Sequence, residues 1–269
     1  MRELIRRLLL SAGALVFVLI LVVWLFDIQS AKRQLRRSAT IAGLYEGVKA
    51  DIENFRMAVF ARRSRGAMRE YVATHVVRKL QIGAGPSRLV GWLNTDIERM
   101  EGLLYLDASQ PFPLEDGSFH YVFSEHVIEH LSYDDGLKML SESYRILAPG
   151  GKVRIATPNL LRFVGLFDEH KSDAARNYLQ GKLAWHGWPT HPRAECIILN
   201  FQLSSFGHRF VYDPETLKSA MLRTGFRSIQ EYRGGESDDP NLQGVERRQT
   251  LAITPLNDYE TMIVQAVKP

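Results

Sequence analysis

From residue 76 onward the sequence alternates short apolar runs with turn-rich or helical stretches, and nearly every run closes on an acid or a glycine. "VVRKLQIG" ends at Gly83, "GWLNTD" at Asp96, "LLYLD" at Asp107 and "FHYVFSE" at Glu125. Runs of this length, separated in this way, read as strands joined by crossovers, which specifies a parallel sheet. Ligands of such sheets bind outside the carboxyl ends of the strands. The acids and glycines all fall there.

The next segments fit the same plan. Ser132 is placed to cap a helix, with Asp135 three residues on. Leu137, Leu140, Tyr144 and Leu147 make one stripe along that helix, and "APGG", Ala148 to Gly151, stops it. "KVRIATP" is the following strand, and a further helix starts at Pro214.

Gly83-Ala84-Gly85 is a Gly-x-Gly loop, whose glycines permit a tight turn and a close approach of ligand to backbone. The spacing narrows the ligand. A dinucleotide site wants a third glycine and an acid about 20 residues on. Here Arg88 holds the third position and Asp96 lies 11 residues past Gly85, which leaves room for one helical turn at most. No Gly-Lys-Ser/Thr follows, so a Walker loop is excluded as well. The loop suits a nucleoside without a phosphate chain, with Asp96 holding ribose hydroxyls through charge-assisted hydrogen bonds and Asp107 at the adenine or ribose side.

"LQIGAGPSRLVGWLNTDI", "DASQPFPLEDGSFHYVFSEHVIEHL", "YRILAPGGKVRIATPNL" and "HRFVYDPETLKSAMLRTGF" together resemble the class I methyltransferases of the type 11 kind, over about residues 78–230. The resemblance implies an α/β, Rossmann-like sheet of seven strands, mostly parallel with an antiparallel last strand, and helices on both faces. "GFRSIQEY" and "ETMIVQAVK" would be the last two strands. It implies S-adenosyl-L-methionine as cofactor. Gly83, Ala84 and Gly85 would line its methionine part, Asp96 and Ile97 its ribose side, Asp107 and Ala108 its adenine. Ser124, Glu125 and His126 would lie near the methyl group, His126 among the catalytic residues. Gln81 stands where many family members carry an acid that holds the methionine amino group. The tail "GESDDPNLQGVERR" resembles a branch associated with surface-polysaccharide genes, which implies a saccharide acceptor.

"HVIEH", His126 to His130, also has the His-x-x-Glu-His form of inverted zinc peptidases. That chemistry needs both histidines on one helical face and a third ligand. The segment instead runs from a strand to a new cap at Ser132, and no third ligand is signalled, so no metal is expected; Glu129 and His130 are read as bracing the loop. His208 is the candidate general base for an acceptor hydroxyl. "WHGWPTHP", Trp185 to Pro192, reads as a substrate-side insertion, with Trp185, His186, Arg209 and Glu246 as the residues expected to meet the acceptor.

The N-terminal part is different. Leu8 to Phe26 holds no charge in 19 residues, enough helix to span nearly the roughly 30 Å hydrocarbon core. Arg2, Arg6 and Arg7 would also suit a signal peptide, but the run exceeds the usual h-region and no Ala-x-Ala site follows. The expected domains are therefore a transmembrane anchor over 1–27, a basic helical segment over 28–75 with a break at "RRSRG", Arg62 to Gly66, and a methyltransferase domain over 76–269. Residues 1–80 carry 15 Lys and Arg against 6 Asp and Glu, and residues 81–269 carry 19 against 24. Basic charge confined to the first part favours anionic lipid as its partner and argues against a nucleic-acid face on the main domain. Cys196 is the only cysteine, which rules out an internal disulfide and suits a reducing compartment. The expectation is an O-methyltransferase on the cytosolic face of the inner membrane, acting on a saccharide or lipid-linked glycan. A quinone or lipid methyltransferase, or a tethered protein that binds the cofactor without catalysis, is the competing reading.

Overall fold

The computed structural model describes residues 39–246 and 254–269. The uncharged run Leu8–Phe26, and with it the expected anchor, lies outside them. Among the described residues no helix is long and apolar enough to cross a membrane. The chain divides into two compact units, Met1–Arg62 and Arg63–Pro269. The described part of the first is helical and belongs to α1 (Ala39–Thr74), which continues through Arg62–Gly66 without the expected break. One glycine inside a helix costs only about 1 kcal/mol relative to alanine.

The second unit is built on seven strands: β1 (Lys79–Ile82), β2 (Leu93–Asp96), β3 (Leu104–Tyr105), β4 (Phe119–Glu125), β5 (Leu147–Pro158), β6 (Arg227–Tyr232) and β7 (Thr261–Val267). They form one sheet in the order β3-β2-β1-β4-β5-β7-β6. The first five in that order run parallel, and β7 is antiparallel to both neighbours. α2 (Tyr133–Ile146) links β4 to β5 and starts as expected, with the Ser132 hydroxyl accepting the Asp135 backbone N–H. α6 (Pro214–Arg223) starts on an Asp213 cap that accepts from Glu215 and Thr216. Between β5 and α6 the chain inserts α3 (Leu160–Val164), α4 (Asp173–His186) and α5 (Ala194–Ser204), and α7 (Thr254–Glu260) precedes β7.

Chain order reverses at β1 and β4. With right-handed crossovers, connections made to either side of that point leave from opposite faces of the sheet. One face, carrying Leu80, Ile82, Val122, Ile155 and Val264, packs on Met68, on Met139 and Leu140 of α2, and on Leu217 and Met221 of α6. Among the described residues, the buried cluster on the other face draws its cover from coil segments. Phe123, Ala156 and Ile263 pack there against Leu89 and Trp92 of the β1–β2 connection and against Leu242 and Val245 of the segment after β6.

Candidate functional site

The β1–β2 connection has no helix, so its conformation must come from elsewhere. It comes from polar side chains on the two strands. Gln81 and Asn94 face each other in register. The Leu89 N–H is shared between Gln81 Oε1 at 3.1 Å and Asn94 Oδ1 at 2.9 Å. Gln81 Nε2 donates to the Ser87 carbonyl, and Asn94 Nδ2 to the carbonyls of Leu89 and Trp92. The Thr95 hydroxyl donates to the Gln81 carbonyl at 2.8 Å. Buried polar groups that satisfy a loop in this way contribute about 1 kcal/mol each and leave it one conformation.

The loop places Gly83 and Gly85 in the left-handed region, at φ +66° and +49°. A Cβ on Gly83 would stand 2.2 Å from Val127 Cγ2, so only glycine fits there. A Cβ on Gly85 would meet nothing within 4 Å, so that side of the loop is open. Asp96, half-buried, holds the loop from below: its Oδ2 accepts the Gly85 N–H and its Oδ1 the Glu98 N–H, both at 2.9 Å. A carboxylate accepts about four hydrogen bonds, so two places remain for a ligand. Ile97 beside it is 54 % exposed. On the neighbouring strand end Asp107 accepts the Ser109 N–H and hydroxyl through Oδ1. Ala84 and Ala108 are buried.

Across the reversal point, β4 ends in Ser124 and Glu125. The Ser124 hydroxyl is buried and has no hydrogen-bond partner among the described residues. His126 follows at φ +54°, a strained conformation for a residue with a side chain. Two contacts hold it: its N–H donates to the Ala156 carbonyl at 2.9 Å, and its Nδ1–H to Glu129 Oε1 at 2.8 Å. Glu129 is fully buried and accepts the Thr157 hydroxyl at Oε2. Burial alone would raise its carboxyl pKa; the charge and hydrogen bond of His126 outweigh burial and hold it below the usual carboxylate range.

The Glu129 carbonyl accepts the N–H groups of Arg209 and Phe210 at 2.7 and 3.1 Å. This tie brings His208 beside His130, with ring centroids 5.0 Å apart and planes at 71°. His208 Nδ1–H donates to the Gln202 carbonyl at 2.6 Å, which leaves Nε2 with its lone pair free in the neutral ring. Burial lowers the His208 pKa, so the neutral ring dominates at neutral pH. From His208 a run of rings extends outward through Phe206, Phe201, Trp188 and His186, with successive centroids 4.3–5.9 Å apart.

The strand ends thus gather Gly83, Ala84, Gly85, Asp96, Ile97, Asp107, Ala108, Ser124 and Glu125, as the order β3-β2-β1-β4 requires. Three of the expected residues are engaged by the protein's own groups. Gln81 spends its amide on the loop backbone, so it shapes the site from behind. His126 has both ring nitrogens within the protein, Nε2 lying 3.4 Å from the Thr261 hydroxyl, so it positions Glu129. Glu246 is 3 % exposed and pairs with fully buried Arg154, while its Oε2 accepts the Gly235 N–H. Among the residues expected to meet an acceptor, His186 stacks on Trp188, Trp185 is 59 % exposed, and exposed Arg209 reaches Asp135 at 3.9 Å. Asn94, Thr95, Glu129 and Trp188 complete the arrangement. Nothing in "LNTD" singled out the first two.

A cleft of about 370 Å³ is lined by Arg65, Met68, Arg69, Val72, Pro113 and Leu114 at the amino end of β4, the opposite end of the sheet.

Residues 99–155 match the family described as "Methyltransferase domain", a stretch that runs from just past the Asp96 turn into β5. No curated protein matches the chain. Among solved structures it is similar to a SAM-dependent methyltransferase of Thermotoga maritima, at 17 % identity over 81 % of this chain and 95 % of that one, with a TM-score of 0.42. A SAM-dependent methyltransferase of Archaeoglobus fulgidus gives 18 % identity over 77 % and 94 %, with a TM-score of 0.45. Phosphoethanolamine N-methyltransferase 2 of Haemonchus contortus, in complex with S-adenosyl-L-methionine, gives 17 % over 72 % and 49 %, with a TM-score of 0.37.

Proposed function

We propose that the chain is an S-adenosyl-L-methionine-dependent methyltransferase. The observation that carries this reading is the glycine loop at the β1/β4 reversal, with two carboxylates on the next two strand ends and no phosphate-binding helix. The methyltransferase-domain match over residues 99–155 supports it. The residues fit that cofactor. Gly85 opens onto free space, Asp96 keeps lone pairs for ribose hydroxyls, Ile97 offers an apolar face to a base, and the Ser124 hydroxyl wants a partner. The cofactor supplies an activated methyl group, and the protein's part is to hold the acceptor atom in line and exclude water.

The acceptor enters along the aromatic run from Trp188 to His208, and His208 Nε2 takes the proton of an acceptor hydroxyl. Rings stack on the apolar faces of sugars, which favours a saccharide or a lipid-linked glycan. The run Leu8–Phe26 tethers the enzyme to the inner membrane with the catalytic domain in the cytosol, where the cofactor is made.

Calorimetry on Asp96→Ala tests the reading. Cofactor binding disappears while the far-ultraviolet spectrum stays that of the parent. Unchanged affinity removes Asp96 from the site and the reading with it.

A further inference from the structure

We propose that Glu129, His130 and His208 form a binding site for a divalent cation of the zinc type. Each offers one ligand atom, and the three atoms lie within 4.8 Å of one another. Zinc bonds of about 2.0–2.1 Å in a tetrahedron put ligand atoms roughly 3.3 Å apart, so closure asks for a shift of about 1.5 Å at most. His130 and His208 are only partly buried and sit on a turn and a loop end, where such a shift is available. Gly207, at φ +75°, precedes His208, and a Cβ there would stand 3.9 Å from His130 Nδ1.

The second layer matches what metal ligands require. A coordinating imidazole donates its other N–H to a carbonyl or carboxylate, which fixes the tautomer. His208 does this through Nδ1 to the Gln202 carbonyl, and its Nε2 is the atom left to coordinate. A coordinating carboxylate is itself hydrogen-bonded; Glu129 accepts from His126 and Thr157 and has lone pairs to spare. The backbone bonds from Arg209 and Phe210 to the Glu129 carbonyl fix the two segments relative to each other. Glu129 is fully buried, which separates this cluster from the exposed acidic groups that gather on surfaces without function. Two imidazoles and one carboxylate select zinc and its neighbours over magnesium or calcium, and the half-exposed histidines leave a coordination position open. The sequence hid the site because its third ligand comes 78 residues after His130.

With the ion bound, His208 Nε2 is a ligand and no longer a base, so a hydroxyl on the open position would lose its proton to solvent instead. This last step rests on the methyl-transfer reading; binding of the ion does not. The test uses full-length, tag-free protein, stripped of metal and titrated with cobalt(II), then zinc. One equivalent of cobalt gives the visible absorption of a low-coordinate site, and zinc displaces it. His130→Ala and His208→Ala each weaken binding at least tenfold, whereas His191→Ala, an exposed control, leaves it unchanged. Zinc also raises the melting temperature of the parent and not of His130→Ala, a substitution on a half-exposed turn. No saturable band, or equal affinity in His130→Ala and His208→Gln, reduces the cluster to a hydrogen-bond network and overturns the proposal. Cofactor calorimetry on the same samples reports separately on methyl transfer.

Discussion

At the scale of single residues, Gly83 is the most demanding position in the loop. Its φ of +66° and the 2.2 Å approach of a Cβ to Val127 act together. Alanine there bears the left-handed penalty of about 1–2 kcal/mol and a steric overlap as well. Gly83→Ala is expected to lower the melting temperature by about 5–10 °C, since each kcal/mol is worth roughly 2–4 °C at this size. Adding Val127→Ala removes the overlap and recovers part of the loss, and a thermal melt of the double variant checks it. The identities of such residues were legible in the sequence, because glycines and acids at run ends carry their chemistry openly. Their partners were not. Nothing in "KLQIG" announces that Gln81 turns inward to Leu89, and nothing near residue 246 announces Arg154, which lies 92 positions earlier.

Among elements, the parallel strands, the Ser132 cap and the helix start at Pro214 followed from apolar period and turn residues, whereas the count of seven and the antiparallel last strand came with the family resemblance. The insertion of α3, α4 and α5 was legible only as an aromatic-rich stretch, because its packing depends on contacts with α7 that no local pattern records. There Tyr178, Lys182 and Gln202 converge on buried Glu260. The segment after β6 is held in a comparable way. Glu246 pairs with Arg154, Ser237 and Asp238 bond Gln265, and Asp239 takes both the Tyr121 hydroxyl and Lys152. Removing one partner of a buried ion pair leaves an uncompensated charge and costs about 3–5 kcal/mol. Arg154→Met and Glu246→Leu are each expected to lose that much in denaturant unfolding. The double variant Arg154→Met with Glu246→Leu is expected to regain most of it. Additive losses would show that the two do not act as a pair.

For the whole molecule, the division of charge sets the basic first unit against a body that is slightly acidic. If residues 8–26 tether the chain, the full-length protein sediments with membranes and resists carbonate, and a reporter fused after Pro269 reads cytosolic. A periplasmic reading overturns the orientation. The coil-covered face of the sheet bears on how the body behaves. The coil that carries Leu89 and Trp92 and the coil that carries Leu242 and Val245 share one apolar layer over Phe123, Ala156 and Ile263. Anything that peels back the distal strip near residue 240 therefore slackens the apolar layer on which the β1–β2 loop rests, so the shape of that loop is adjustable from a distance.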